Sequence, residues 1–227
     1  MSKLFLCLAK SRKYSGRCVA GIVVERDPWR KILTFQRDAR GNPVWIRPLG
    51  PSKHGAIDPK IGDELHLLNV YEIDRFRNAA EGYQSENVLH PTQQFRPVTF
   101  LAPHRQHLEL CRDRTPEGNL FVNRRRSISA TEILSLDRSI KLILAKNPRV
   151  YVRDMRLKGL QYRIHFEYDG TEYDLSMTDL DFRTRFDANP TLLDRCAECY
   201  LVVSISKSFE GRYYKLVATV LLSEVNS

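Results

Sequence analysis

The sequence predicts a mainly β protein, two small barrels in tandem with a few short helices. Apolar runs of strand length recur along all 227 residues, punctuated by Gly, Pro, Asn and Asp. The second half sets one short helix among about five such runs, just before the final hairpin. Asp169-Gly170 between Phe166-Glu167-Tyr168 and Tyr173-Asp174-Leu175 is a strong hairpin signal. One helix in that position matches a closed Greek-key barrel, the OB arrangement, and the first half reads the same way with longer loops. No internal repeat is visible, so the two OB-like barrels rest on pattern alone.

Leu4–Ala9 is a continuous apolar run and reads as a buried strand, followed by a polar loop Lys10–Arg17 and a second strand Cys18–Val24. Val44–Arg47 is a short strand ended by Pro48, which cannot donate to a ladder. Gly50–Gly62 reads as loop and Glu64–Ile73 as the clearest strand of this half. Gln84–Leu89 and Phe95–Leu101 are short extended segments, and His104–Cys111 is a short helix. Ser129-Ala130-Thr131-Glu132 fits a capping box at a helix start. Beyond it, Ile140–Ala145, Arg149–Arg153, Gln161–Tyr168, Leu201–Ile205 and Tyr214–Leu222 read as strands, and Thr178–Asp187 as a helix capped by Thr178. These elements place an N-terminal OB-like domain with long loops at 1–111, a charged linker with a short helix at 112–137, and a C-terminal OB-like domain at 138–227.

A net charge of +9 suits an anionic partner such as nucleic acid. The excess is mild and leans to the first half, where 18 Lys and Arg stand against 12 Asp and Glu in residues 1–113. No apolar run approaches a membrane span and no signal peptide is evident, which with five thiols and no paired framework places the chain in the cytoplasm without a membrane partner. Cys196 and Cys199 form a lone CxxC, two ligands short of a structural zinc site.

The candidate binding residues sit where strands run into loops. Ser11, Arg12, Lys13 and Arg17 form a basic rim able to hold phosphates. Trp45 and Arg47, two apart in a strand, share a face, as a stacking platform and a phosphate or base-edge donor, or as a core indole and an arginine paired with Glu86. Gln84 and Asn87 offer amides to a base edge or to an irregular loop. Arg124 and Arg125, in the densest basic run, can clamp a backbone, and Lys207 and Lys215 cluster with Arg212 and Tyr213 at the last hairpin.

Several of these segments together resemble a known family. The Leu4–Lys13 opening, Gly16-Arg17-Cys18-Val19-Ala20-Gly21, Trp45-Ile46-Arg47-Pro48, Gln84-Ser85-Glu86-Asn87, Tyr173–Asp179 and the closing Tyr200–Ser206 and Tyr213–Ala218 are similar to a dual-OB-domain family of prokaryotic conflict and anti-phage defence systems. Ser85 stands where that family's pattern has Pro. The resemblance implies two OB folds in tandem and a nucleic-acid-sensing or targeting role beside an effector protein.

Catalytic constellations are thin. Asp169, Asp174, Asp179 and Asp181 spread over a turn, a strand and a helix start, a poor geometry for a two-metal nuclease. His104, His107 and Cys111 lie at helical spacing but read as surface helix. GxxxxGK[ST], GxGxxG, HExxH and GxSxG are absent. The leading expectation is non-catalytic recognition of nucleic acid, single-stranded DNA or RNA, with no metal and no cofactor. The alternatives are a nuclease or nucleotide-modifying enzyme in the same basic pocket, and an interaction scaffold for an effector.

Overall fold

Where the sequence is apolar at every position the strand is buried on both faces, and Phe5–Ala9 is such a stretch, each residue 2% exposed or less. The computed structural model describes residues 2–26, 33–98, 105–113, 119–156 and 159–222. The chain divides into two units, residues 1–114 and 115–227.

In the first unit β1 (Lys3–Lys13) and β2 (Gly16–Arg26) form a long hairpin. Lys13 pairs with Gly16, so the expected Lys10–Arg17 loop shrinks to the turn Tyr14-Ser15. The basic residues continue the ladder because opposite-strand partners satisfy their backbone groups. A β-bulge between Cys7 and Ala9 bends β1. At Gly21 a side-chain Cβ would stand 2.0 Å from the Leu6 carbonyl oxygen, so only glycine permits this approach.

The remaining strands are β3 (Leu33–Phe35), β4 (Trp45–Leu49), β5 (Val70–Ile73), β6 (Arg77–Asn78), β7 (Asn87–Leu89) and β8 (Arg96–Val98). They order as β6-β7-β4-β2-β1-β5-β8 with β3 on β2, a curled half-barrel. Phe5, Cys7, Val19, Val23, Ile46, Ile57, Leu65, Tyr71 and Ile73 form its core. Two expectations change here. The loop Gly50–Gly62 contains helix α1 (Pro59–Asp63), started by Pro59 and capped by the Asp58 carboxylate, which accepts from the Lys60 amide. The strand expected from Glu64 begins only at Val70: Leu68 takes a φ of +67°, which breaks the extended chain, and Leu65 is apolar because it fills the core. Helix α2 (Arg105–Cys111) follows; His104 lies outside the described residues.

The second unit is a closed five-stranded barrel. Its strands are β10 (Ile140–Asp154), β11 (Leu160–Tyr168), β12 (Thr171–Met177), β13 (Glu198–Ile205) and β14 (Arg212–Leu222), preceded by a short β9 (Ser127–Ser129) on β14. Antiparallel pairs join β12 to β11, β11 to β10, β10 to β13 and β13 to β14. A parallel contact, Ser176 with Leu216 and Met177 with Val217, closes the ring. Helix α3 (Leu180–Ala188) sits between β12 and β13, where an OB barrel carries its helix. The chain is therefore mainly β with two OB-like units.

Three further expectations are refined. The two strands read at Ile140–Ala145 and Arg149–Arg153 are one strand with a bulge between Lys146 and Arg149, where Asn147 adopts a φ of +49°. Asp179, not Thr178, caps α3, because its carboxylate reaches the Phe182 amide at 2.9 Å. The charged segment expected as linker packs into the second unit from 119 onward: Leu120, Phe121, Ile128 and Ile133 are all buried. The capping box forms, with the Ser129 hydroxyl accepting from the Glu132 amide and Glu132 accepting from the Ser129 amide, and it starts a single 3-10 turn, Glu132–Ser135.

Candidate nucleic-acid interface

The stretch Arg149-Val150-Tyr151-Val152-Arg153 alternates polar with apolar residues, and a strand sends alternate side chains to opposite faces. Arg149 pairs with His165, Tyr151 with Arg163, and Arg153 with Gln161 on β11; Arg163 pairs with Ser176 and His165 with Asp174 on β12. Directly opposed residues share a face, so all of these stand on the outer face of three adjacent strands. The other face carries Ile164, Phe166, Tyr173 and Leu175, each 3% exposed or less, in the core.

At the centre of the outer face the Arg163 guanidinium is fully engaged. It meets the Asp174 carboxylate from Nε at 3.0 Å and from its terminal nitrogen at 2.9 Å, donates to the Asp174 carbonyl at 2.8 Å, and donates to Gln161 and Ser176 at 3.3 and 3.2 Å. The Tyr151 hydroxyl donates to Asp174 at 3.0 Å and accepts from Arg163 Nε at 3.1 Å. These bonds fix the Tyr151 ring while leaving the residue 42% exposed. Arg149 and Arg153 flank it, both exposed, with exposed Lys146 beyond the bulge. A held aromatic ring between cations can stack a base and neutralise phosphates on either side.

Loops frame this face. Residues 155–159 join β10 to β11 and include exposed Arg156. The parallel register of β12 and β14 sets the loop 206–211 at the level where β12 begins. That loop presents exposed Lys207 and Phe209, the latter 59% exposed. In an OB barrel these two loops and this sheet face are the surface that binds oligonucleotides.

Comparison with known families bears on the whole chain. A family model described as a dual OB-containing domain matches residues 3–220. The chain belongs to the dual OB-containing domain family. A comparison with curated proteins yields no match. Among solved structures, this dual OB chain is similar to a murine DNA-binding protein bound with double-stranded DNA, at 8% identity over 98% of this chain and 99% of that one, TM-score 0.34. It is also similar to a chain of a replication protein A heterotrimer bound to single-stranded DNA, at 11% identity over 96% of this chain and 49% of that one, TM-score 0.38.

The dual OB protein distributes the residues singled out from sequence unevenly. Arg12 is exposed, Lys13 half-buried and Ser11 buried at the end of the β1–β2 hairpin. Arg17 is held by Asp63 in a two-point ion pair, Nε to Oδ1 at 2.6 Å and the terminal nitrogen to Oδ2 at 2.9 Å, so it anchors α1 rather than a phosphate. Trp45 and Arg47 share a face as expected, but both are buried, and Arg47 pairs with Glu86 at 2.8 Å. Gln84 and Asn87 are buried too, with Asn87 Nδ2 donating to Gln84 Oε1 at 3.2 Å. Of the two readings open for these four, they follow the interior one, a core indole, an arginine paired with Glu86 and amides bonded within the first unit.

In the second unit Arg124 is exposed, and Arg125, also exposed, pairs with Glu132 at 2.5 Å. Three bonds to the Glu132 carboxylate, from the Ser129 amide and hydroxyl and from Asn123, hold its pKa down to about 2. Lys207 is exposed. Lys215 is 1% exposed: its ammonium donates to the Asn123 carbonyl and Oδ1 and lies over the Tyr173 ring, which takes it out of the binding surface.

The acidic residues have structural partners. Asp169 occupies the hairpin turn at a φ of +50°, Asp174 pairs with Arg163, and Asp179 caps α3 and accepts from the Val220 amide at 2.9 Å. Cys196 and Cys199 are buried free thiols whose pKa values burial pushes up. Among the described residues no three His, Cys, Asp or Glu side chains are grouped to hold a metal.

Tyr151 and its flanking arginines escaped the reading of the sequence. The signal was present as a period-2 stripe of cation, aromatic, cation; it was masked by the Pro148 that splits β10 on paper.

Proposed function

We propose that the protein binds single-stranded nucleic acid, without catalysis, across the β10–β11–β12 face of its second barrel. The observation that carries this is the Tyr151 ring, fixed by Arg163 and Asp174 and flanked by the exposed Arg149 and Arg153. Each stacked base contributes about 1–3 kcal/mol and tolerates any sequence, while cations along the strand make binding salt-dependent. The Arg163–Asp174 pair positions the ring and, already saturated, does not itself contact phosphate.

The resemblance of the sequence motifs to a dual-OB family of anti-phage systems supports setting this recognition within such a prokaryotic system, beside an effector protein, and the free cysteines support a reducing cytoplasm. The β1–β2 hairpin with Arg12 and Lys13 adds cationic surface to the first unit.

Fluorescence anisotropy with labelled single-stranded and duplex DNA and RNA, between ~50 and ~200 mM salt, tests the reading. Single strands bind more tightly than duplexes, and Tyr151→Ala weakens them by roughly five- to 150-fold. Arg149→Ala with Arg153→Ala lowers the slope of log affinity against log salt by about 1.4, at ~0.7 per lost phosphate contact. Wild-type affinity in both variants refutes the site, and a turnover of the bound strand refutes the absence of catalysis.

A further inference from the structure

We propose that the first unit carries a base-stacking site of its own, a platform of Tyr14 and His54 that takes an unpaired nucleobase while neighbouring cations hold its phosphates. Tyr14 occupies the two-residue turn of the β1–β2 hairpin and is 61% exposed. Its ring lies against that of His54, centroids 4.0 Å apart and planes 20° from parallel, and His54 is exposed as well. Two stacked rings at a surface present outer faces to solvent, and a π-face is what any base can stack upon.

Both rings are carried on anchored backbone. Arg17 and Ile57 exchange amide–carbonyl bonds at 2.9 Å in each direction, tying the hairpin to the loop that bears His54. Gly16 makes the approach possible, since a Cβ there would stand 2.4 Å from the Ile57 carbonyl oxygen. The loop is stiffened from within: the Ser52 hydroxyl accepts from the Ala56 amide at 2.9 Å, and the Gly55 amide donates to the Ser52 carbonyl at 2.8 Å. A platform held this way loses little freedom when a ligand lands on it.

The local charge matches the ligand. Exposed Arg12 is two residues from Tyr14, with its Nε 3.5 Å from the Tyr14 carbonyl, and exposed Lys53 precedes His54. The turn itself points the same way. Tyr14 has a φ of +51°, a backbone that favours glycine and disfavours a bulky ring, so the aromatic is kept there against local preference.

This inference rests on the nucleic-acid reading above, and the test separates their failures. The full-length protein is cross-linked by ultraviolet light to an oligothymidylate of about 15 nucleotides carrying 5-iodouracil, a length within the site size of an OB fold, and the modified peptides are mapped. Affinity for the same oligonucleotide is measured for wild type, Tyr14→Gly, Tyr14→Trp, and Arg149→Ala with Arg153→Ala. Adducts on Tyr14 or His54 are expected. Tyr14→Gly is expected to keep or raise the thermal midpoint while weakening binding roughly five- to 150-fold, and Tyr14→Trp to retain affinity. Thymidine monophosphate that competes as well as the oligonucleotide supports the platform with a free nucleotide as its ligand. Adducts confined to other residues, with Tyr14→Gly binding as wild type while the double arginine variant is impaired, overturn the platform and leave the second-barrel site standing. No binding of any strand or nucleotide overturns both.

Discussion

Asp179 is a carboxylate 1% exposed in the second barrel, and burial pushes its pKa from 3.8 up to about 6 despite bonds from the Phe182 and Val220 amides. The native state therefore holds a proton that the unfolded chain gives up between those two values, and stability falls as pH rises through that window. A shift of this size corresponds to about 3 kcal/mol. Asp179→Asn keeps an acceptor without the charge, so its urea midpoint should stay flat from pH 4 to 6 where the wild type declines; parallel curves would refute this. Lys215 is the opposite case. Burial lowers its pKa from 10.5 to about 7, so the unfolded chain binds the extra proton and stability rises as pH climbs from about 7 towards 10.5. Lys215→Met removes that rise. A wild-type slope retained in the variant would place its origin elsewhere.

At the scale of elements, the bulge in β10 decides which way the binding stripe faces. Lys146 pairs with Glu167 and Arg149 with His165, so three steps along β10 match two along β11. Paired one to one with no bulge, the same residues would set Arg149 opposite Ile164 and turn Arg149, Tyr151 and Arg153 inward and Val150 and Val152 outward. Deleting Asn147 leaves two steps on each strand and removes only the bulge, so strand binding should survive, as it should in Asn147→Gly, which suits the φ of +49°. Deleting Val150 instead turns Tyr151 and Arg153 inward and should abolish strand binding, with a large loss of cooperative unfolding. Circular dichroism and anisotropy on these variants decide it; a Val150 deletion that still binds means the stripe is not register-dependent. The same element shows what was legible in the sequence. Runs such as Tyr200–Ile205 and the Asp169-Gly170 turn announce themselves because burial on both faces and a tight reversal each demand particular residues. A bulge demands none, so β10 reads as two strands, and the two leucines Leu65 and Leu67 imitate a strand because core filling and strand alternation use the same residue types.

For the whole molecule, legibility follows from how each unit closes its sheet. The second unit completes a ring through β12 and β14, so strand count and helix position alone suffice to recognise it. The first unit stays a curled sheet with short outer strands, and its polar motifs read equally as rim or as interior, whereas Arg47, Gln84, Glu86 and Asn87 are all interior. Charged and amide side chains resemble ligand contacts in a sequence because only three-dimensional partners, here Arg47 with Glu86, distinguish a buried pair from an exposed one. Ring closure also has a consequence for autonomy. A closed barrel leaves no unpaired edge among its five principal strands, and the segment from 119 onward supplies Leu120, Phe121 and Ile128 to the same unit's interior. Residues 115–227, about the size of an ordinary domain, should then fold alone with a single urea transition and keep the salt-sensitive, Tyr151-dependent binding of the full chain. Cutting at 138 instead, where a linker was expected to end, strips away those buried side chains and the Asn123 partner of Lys215, and should give an unstable product. If both fragments unfold with the same midpoint, the 119–137 segment contributes nothing to the barrel, and the assignment of that segment to the second unit fails.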